Sequence, residues 1–293
     1  MHKYLRAIGF ASMKKRSEYE KLVQKIASDS VERAYTSLDD DYMIAMYNKE
    51  FAPGMGIAVC GVFDESNQFY YDYSFPYIKG SYVSSYEDIS VERHAAKNSY
   101  AGVCDEARLG VSLIFYIQNI IPYIRILNTG RLPVKGTSVT LSALSIQGII
   151  MMPLAKSEYD RAKSVKAGSE RIRLVEAARR GDEEAMESLT LDDMDTYTAI
   201  SKKIRKDDIF TIVDTYFMPY GVECDQYSIL GEILNAEEIT NSYTGEIIYK
   251  LCLQCNEVIL DVSINKFDLY GEPEVGRRFK GVVWLQGFIN FPE

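Results

Sequence analysis

The last part of the chain, residues 216–293, constrains the fold more than any other stretch. It consists of short runs of strand-forming residues separated by turns, and one run alternates its apolar positions: Val258, Leu260, Val262 and Ile264. About four or five such strands fit into this segment. A small closed barrel is the economical way for so few strands to hide their sheet edges. We therefore expect a small C-terminal β-barrel, OB-like or similar.

The closing segment, GEPEVGRRFKGVVWLQGFINFPE, predicts how this barrel is completed. Gly276, Gly281 and Gly287 are expected at bends of one long final strand, where a side chain would collide. Trp284, the only tryptophan, is expected to fill the core or to plug one end of the barrel. Upstream, Asn256–Glu257 is expected to turn one strand back along the next.

The first half of the chain combines helix and strand signals. In SEYEKLVQKIASDSVER, Ser17 and Glu20 have the spacing of a capping box. The residues that follow repeat at helical spacing and predict an amphipathic helix: Tyr19, Leu22, Val23 and Ile26. Short apolar runs broken by turn-forming residues predict antiparallel strands over residues 42–77.

Two more elements are predicted before residue 155. Asp105 and Glu106 would begin a helix whose apolar face runs from Leu109 to Ile120. SVTLSALSIQG alternates apolar and polar residues, which predicts a strand with one face in water. A helix packed against an antiparallel sheet is the expected result.

The predicted fold class is therefore α+β, with three parts. Residues 1–155 form an α+β domain with an antiparallel sheet and packed helices. Residues 156–215 form a charged helical connector whose two helices meet at Gly181, and residues 216–293 form the barrel.

The cysteines and the most apolar segments indicate a cytoplasmic protein. No export signal or membrane span is read from the sequence. Five cysteines at irregular spacing fit reduced thiols: Cys60, Cys104, Cys224, Cys252 and Cys255. The pair Cys252 and Cys255 lies on a strand pattern with no second pair nearby, so we expect no metal site and no cofactor.

Charge is distributed unevenly along the chain. Residues 1–155 carry 16 basic and 16 acidic side chains, whereas residues 216–293 carry 5 basic and 12 acidic ones. Non-specific nucleic-acid binding depends on Lys and Arg that neutralise phosphates, so this balance argues against it. Arg277 and Arg278 are interpreted as offsetting the acidic surface.

Candidate catalytic chemistry centres on His94, since the chain has only two histidines. The densest polar cluster surrounds it in the sequence, with four candidate residues: His94, Asp105, Glu106 and Arg108. If they shared one cleft, His94 could act as acid or base and arginine could hold an anion. This hypothesis describes a small-molecule hydrolase or transferase around His94, Asp105 and Arg108.

Tyrosines suggest a second hypothesis, because tyrosine is favoured at recognition surfaces. Six candidates cluster in one segment: Tyr70, Tyr71, Tyr73, Tyr77, Tyr82 and Tyr86. The alternative reading is that strand residues are aromatic for packing alone. Since catalytic motifs are missing, we favour a non-enzymatic protein–protein interaction module, with either another protein or a second copy of the chain as partner.

Five phrases carry a resemblance to a known family: MHKYLRAIGF, RLGVSLIFYIQN, SVTLSALSIQG, YFMPYGVECDQYSILGEI and GEPEVGRRFKGVVWLQG. Together they resemble a domain-of-unknown-function family of Clostridia-type Firmicutes proteins, over nearly the whole chain. The resemblance implies a bacterial cytoplasmic origin. It implies no activity, cofactor or catalytic residue.

Overall fold

The chain forms two β-sheets with few helices, as the predicted α+β class requires. In the computed structural model, the described residues are 1–38, 42–94, 98–154, 170–178, 180–191, 194 and 213–292. The strands are β1 (Glu32–Ser37), β2 (Met43–Ala52), β3 (Met55–Phe63), β4 (Phe69–Ile78), β5 (Ile89–Arg93), β6 (Tyr100–Glu106), β7 (Val111–Ile117), β8 (Ser138–Met151), β9 (Tyr216–Pro219), β10 (Gln226–Thr240), β11 (Ile247–Cys255), β12 (Val258–Asn265), β13 (Leu269–Tyr270) and β14 (Arg278–Asn290). The helical segments include α1 (Arg16–Asp29), α2 (Ile120–Asn128) and the 3-10 helices Lys3–Ile8 and Lys266–Asp268.

The first sheet has the order β1-β2-β3-β4, antiparallel throughout, which confirms the strands predicted over residues 42–77. Helix α1 packs on it and buries the predicted apolar face: Tyr19, Leu22, Val23 and Ile26. The predicted capping box does not form. Lys15 is the N-cap residue and makes no side-chain hydrogen bond there, so Ser17 lies inside the helix.

The second sheet contains the predicted barrel, which five strands close in the order β8-β12-β11-β10-β14 and back to β8. Residues 216–293 supply four of these strands, and β8 supplies the fifth from residues that sequence reasoning placed in the first domain. The barrel therefore crosses the predicted boundary, while the division into domains stays a prediction. The polar face of β8 is not wet as predicted, because β4 of the first sheet packs against part of it. Ser142 and Ser145 are buried and donate to the carbonyls of Ile78 and Val282.

The helix predicted from Asp105 to Ile120 is wrong. Residues 100–117 form the β6–β7 hairpin, which turns at Gly110 with φ of 68°, and α2 begins only at Ile120. The run VSLIFYI is rich in β-branched and aromatic residues, which favour a strand when a neighbouring strand is present. The alternating positions Leu113, Phe115 and Ile117 are all buried in β7.

Side chains from barrel strand β14 and from the residues just after β7 cover one edge of the first sheet. Gln118 Nε2 donates to the carbonyl of Ile78 at 2.9 Å and to Oε1 of Gln286 at 2.8 Å. Gln286 Nε2 in turn donates to the carbonyl of Pro76 at 2.8 Å. Helix α2 covers the opposite edge, since Arg125 and Asn128 donate to β1 carbonyls. Both edges of the sheet are therefore protected.

The predicted connector contains two helical stretches, residues 170–178 and 183–191, with Gly181 between them at φ of 88°. The remaining connector residues 156–169, 179, 192–193 and 195–212 lie outside the described part of the chain. Arg278 lies deeper than a surface residue, because it is buried and donates to the carbonyls of Met152 and Val213. It joins the flanks of the connector to β14, and it also interacts electrostatically with Asp214.

Candidate functional site

The four candidate catalytic residues lie at opposite ends of the β5–β6 hairpin. The backbone N–H of His94 donates to Ser99 at one end, whereas Glu106 pairs with Val111 at the other. Six to seven strand residues separate the ends, a span of roughly 20 Å. The structure therefore does not bring His94 together with Asp105, Glu106 and Arg108.

Glu106 and Arg108 instead form a buried structural ion pair. Arg108 Nε and Nη2 donate to the two carboxylate oxygens of Glu106 at 2.7 and 2.6 Å. Burial opposes ionisation of Glu106, but these bonds hold its carboxyl pKa below the ordinary value. Arg108 also donates to the carbonyls of Ser84 and Glu257, so it ties the β6–β7 turn to the barrel. Asp105 accepts a hydrogen bond from Ser112 on the hairpin surface.

His94 belongs to a different group of residues, in which His2 contacts the single tryptophan directly and His94 is connected to it through Tyr116. The ring of His2 lies 4.6 Å from that of Trp284, and Tyr4 stacks on Trp284 at 5.5 Å. Tyr116 lies 5.1 Å from Trp284 and 6.3 Å from His94. His94 Nδ1 is 2.8 Å from Ser99 Oγ. We name this group the Trp284 cluster, with the members His2, Tyr4, His94, Ser99, Tyr116, Asp225, Gln226 and Trp284.

Asp225 is the acidic member of the Trp284 cluster. Its Oδ2 accepts a hydrogen bond of 2.6 Å from Trp284 Nε1. Burial raises the pKa of the Asp225 carboxyl above the ordinary value, and the bond from Trp284 offsets only part of this effect. In the part of the chain that the structure describes, no ion pair involves Asp225.

Gln226 is the second polar residue of the cluster that the sequence did not indicate. It lies directly opposite Trp284 in the β10–β14 ladder, and its side chain is only 7% exposed. Within the described residues its Nε2 makes no hydrogen bond of normal length, although the amide interacts with the Tyr4 hydroxyl. The local sequence GVECDQ does not predict that Asp225 or Gln226 belongs to a site, because their contacts are with residues distant in the sequence.

A groove of about 560 Å³ lies between α1 and strands β3 and β4. Val59 and Phe69 are among its apolar lining residues, and Arg16 lines it from the first turn of α1. The hydroxyls of Tyr19 and Tyr71 both hydrogen-bond to Ser74 Oγ, at 2.6 and 2.9 Å. The groove thus combines an apolar surface with a small hydroxyl cluster.

The six candidate tyrosines do not form one surface. Tyr73 and Tyr77 are buried in the first sheet, as packing residues are. Tyr70 and Tyr71 are about half exposed, and Tyr71 lines the groove. Tyr82 and Tyr86 are exposed on a separate segment, which the Ser84 hydroxyl attaches to the carbonyl of Ile259 on the barrel.

In the described residues, no group of three or more His, Cys, Asp or Glu has an arrangement that could hold a metal ion. None of the helices described there has both the length and the apolar character needed to cross a bilayer.

Comparison with known proteins places the chain in a family. It belongs to the DUF3881 family, described as "Domain of unknown function, E. rectale Gene description", whose model matches residues 5–287. No curated protein and no solved structure matches the chain.

Proposed function

We propose that this DUF3881 protein is a non-enzymatic, cytoplasmic binding module that recognises another protein through the groove between α1 and strands β3 and β4. The observation that carries the proposal is the groove itself, whose volume of about 560 Å³ can accept an apolar side chain of a partner. Tyr71 on its rim supplies the stiff, amphipathic contact area that recognition surfaces favour.

Charge around the groove supports a partner of acidic character. Residues 14–25 carry five basic side chains against the two acidic ones of Glu18 and Glu20, and all seven are exposed. The chain as a whole has a formal charge of −9, so this patch is opposite in sign to the net charge of the chain. A segment with carboxylates beside an apolar anchor would complement the patch and the groove together.

The proposal is tested by affinity purification of the full chain from its native host, with mass spectrometry and a light-scattering mass of the pure protein. Arg16→Glu reverses a charge on the groove, and Tyr71→Ser removes its aromatic rim. We expect both variants to lose a partner that the wild type retains. Arg131→Glu makes the same charge change at an exposed site outside the groove lining and should retain it.

The groove proposal is contradicted if wild type, Arg16→Glu and Tyr71→Ser all retain the same partner equally. A dimer mass that both groove variants abolish identifies a second copy of the chain as the partner.

The alternative function is a hydrolase or transferase with His94, Asp105 and Arg108 in one site. It lacks comparable support, because these residues occupy opposite ends of a hairpin. Turnover of a small molecule that His94→Ala removes would overturn the binding proposal in its favour.

A further inference from the structure

Within the described residues, the most deeply buried carboxylates are compensated, whereas the partly buried Asp225 is less so. Glu106, Asp261 and Asp268 each form an ion pair, with Arg108, Lys250 and Arg6. Glu246 accepts hydrogen bonds from the backbone N–H groups of Ala11 and Ser12 and from Asn265 Nδ2. Asp225 has only the indole N–H of Trp284 as a side-chain donor within the described residues.

An incompletely compensated carboxylate is costly to bury, and such residues concentrate at functional sites. Here the charge of Asp225 lies among aromatic rings, since it acts on the hydroxyls of both Tyr4 and Tyr116. Glu223 adds a second negative charge, which the exposed Lys3 contacts, and His94 acts on Asp225 in the opposite sense. Asp225 itself forms no ion pair within the described residues, so its carboxylate is the group that a cation would contact.

The aromatic rings of the cluster already interact with a cation at its rim. Lys3 Nζ lies 5.1 Å from the centre of the Tyr4 ring and 3.4 Å from a carboxylate oxygen of Glu223. Both charged side chains are about half exposed, so this pair lies outside the buried part of the cluster. It shows that a ring–carboxylate combination holds an ammonium group here.

Gln226 contributes an independent observation. A buried amide donor without a partner is costly unless something accepts its hydrogen bond. Within the described residues, Nε2 of Gln226 makes no hydrogen bond of normal length, although the amide interacts with the Tyr4 hydroxyl. Its side chain lies opposite Trp284 on the neighbouring strand. A ligand that satisfies it must carry an oxygen acceptor.

We propose that the Trp284 cluster is a binding site for a small organic cation that also carries an oxygen acceptor, such as an amino alcohol. Its ammonium group contacts the Asp225 carboxylate and the aromatic rings, and its oxygen accepts from Gln226 Nε2. His2, His94 and Asp225 are only half buried, so the ligand approaches from their side. The proposal stands apart from the groove function.

Trp284 provides a specific readout, because it is the only tryptophan in the chain. The full-length protein is titrated with ethanolamine and with ethylamine, which differ by one hydroxyl group, while tryptophan fluorescence is recorded. We expect a saturable change in fluorescence with both amines and no change with ethanol. Ethanolamine should bind with higher affinity than ethylamine.

Two variants separate the two contacts. Asp225→Asn keeps an acceptor for the Trp284 indole but removes the charge, and it should weaken the binding of both amines about tenfold or more. Gln226→Leu should lower the affinity for ethanolamine to that for ethylamine and leave the affinity for ethylamine unchanged. Asp105→Asn removes a carboxylate on the distant end of the hairpin and should bind as the wild type does.

The proposal is overturned if neither amine gives a saturable change, or if Asp225→Asn binds both amines as tightly as the wild type. Equal affinities for the two amines, unaffected by Gln226→Leu, would show that the cation site lacks the proposed oxygen contact and would contradict that part. Circular dichroism of each variant verifies that it is folded before it is titrated.

Discussion

Trp284 donates its indole N–H to Asp225 Oδ2 across 2.6 Å, and this bond connects the last barrel strand to the residue just before β10. The carboxylate is held in place by a neutral donor and forms no direct ion pair within the described residues, although His94 acts on it electrostatically. Its position therefore destabilises the charged form, as its raised pKa indicates. This relationship leads to the first prediction.

Asp225→Asn should raise the thermal midpoint of unfolding at neutral pH by a few degrees. The folded-state pKa of Asp225 is raised by burial, so the protonated carboxyl is the stabilised form. Wild type and variant should match in acid below the ordinary aspartate pKa. The difference between the two thermal midpoints should grow as pH rises through the raised folded-state pKa of Asp225. Thermal unfolding of both proteins at a series of pH values measures this difference. A variant that is less stable than the wild type at neutral pH contradicts this assignment.

Glu246→Gln should destabilise the protein by about 1–3 kcal/mol, because the amide cannot accept from all three donors that Glu246 satisfies. Although burial opposes ionisation, hydrogen bonds led by that of Ser12 lower the pKa of the Glu246 carboxyl. The ionised Glu246 therefore contributes to the free energy of unfolding at pH values above the ordinary glutamate pKa. This contribution is lost as pH falls toward the lowered folded-state pKa of Glu246. Urea unfolding of the variant measures it, with the exposed Glu65→Gln as control.

Phe115 is held between two glycines on neighbouring strands. A Cβ on Gly102 or on Gly287 would lie 2.3 Å from an atom of the Phe115 ring, which is fully buried. Gly287→Ala should therefore cost about 1–3 kcal/mol of unfolding free energy through overpacking. Adding Phe115→Leu should recover part of that loss, so a double-mutant cycle should give a favourable coupling. Strictly additive losses would show that the ring is not the obstacle.

Arg108→Met should destabilise the protein by about 3–5 kcal/mol, because it leaves the buried Glu106 carboxylate without its partner. The double variant Glu106→Gln with Arg108→Met should be more stable than Arg108→Met alone. Denaturant unfolding compares the three proteins, and the exposed Arg131→Met serves as a control. A loss below about 1 kcal/mol in Arg108→Met would mean that Glu106 is hydrated or otherwise compensated.

Parts of the fold that depend on near neighbours could be read from the sequence. The apolar face of α1 is buried at the predicted residues, because helical spacing alone puts Tyr19 and Ile26 on one side. The turn at Asn256–Glu257 has positive φ at both residues, 45° and 69°, as a tight hairpin requires. The strand texture of residues 216–293 also predicts barrel strands, because alternation is a local property.

Only the tertiary structure decided the rest, because those features depend on which distant strands pair. VSLIFYI forms a strand rather than a helix because β6 and β14 pair with it, and β8 closes the barrel from outside the expected segment. The candidate catalytic set was read from sequence proximity, but residues 94 and 106 are separated by the length of a hairpin. The Trp284 cluster joins residues 2, 94, 116, 225 and 284, which no local pattern connects. Local spacing determines the type of an element, whereas long-range pairing determines which side chains meet.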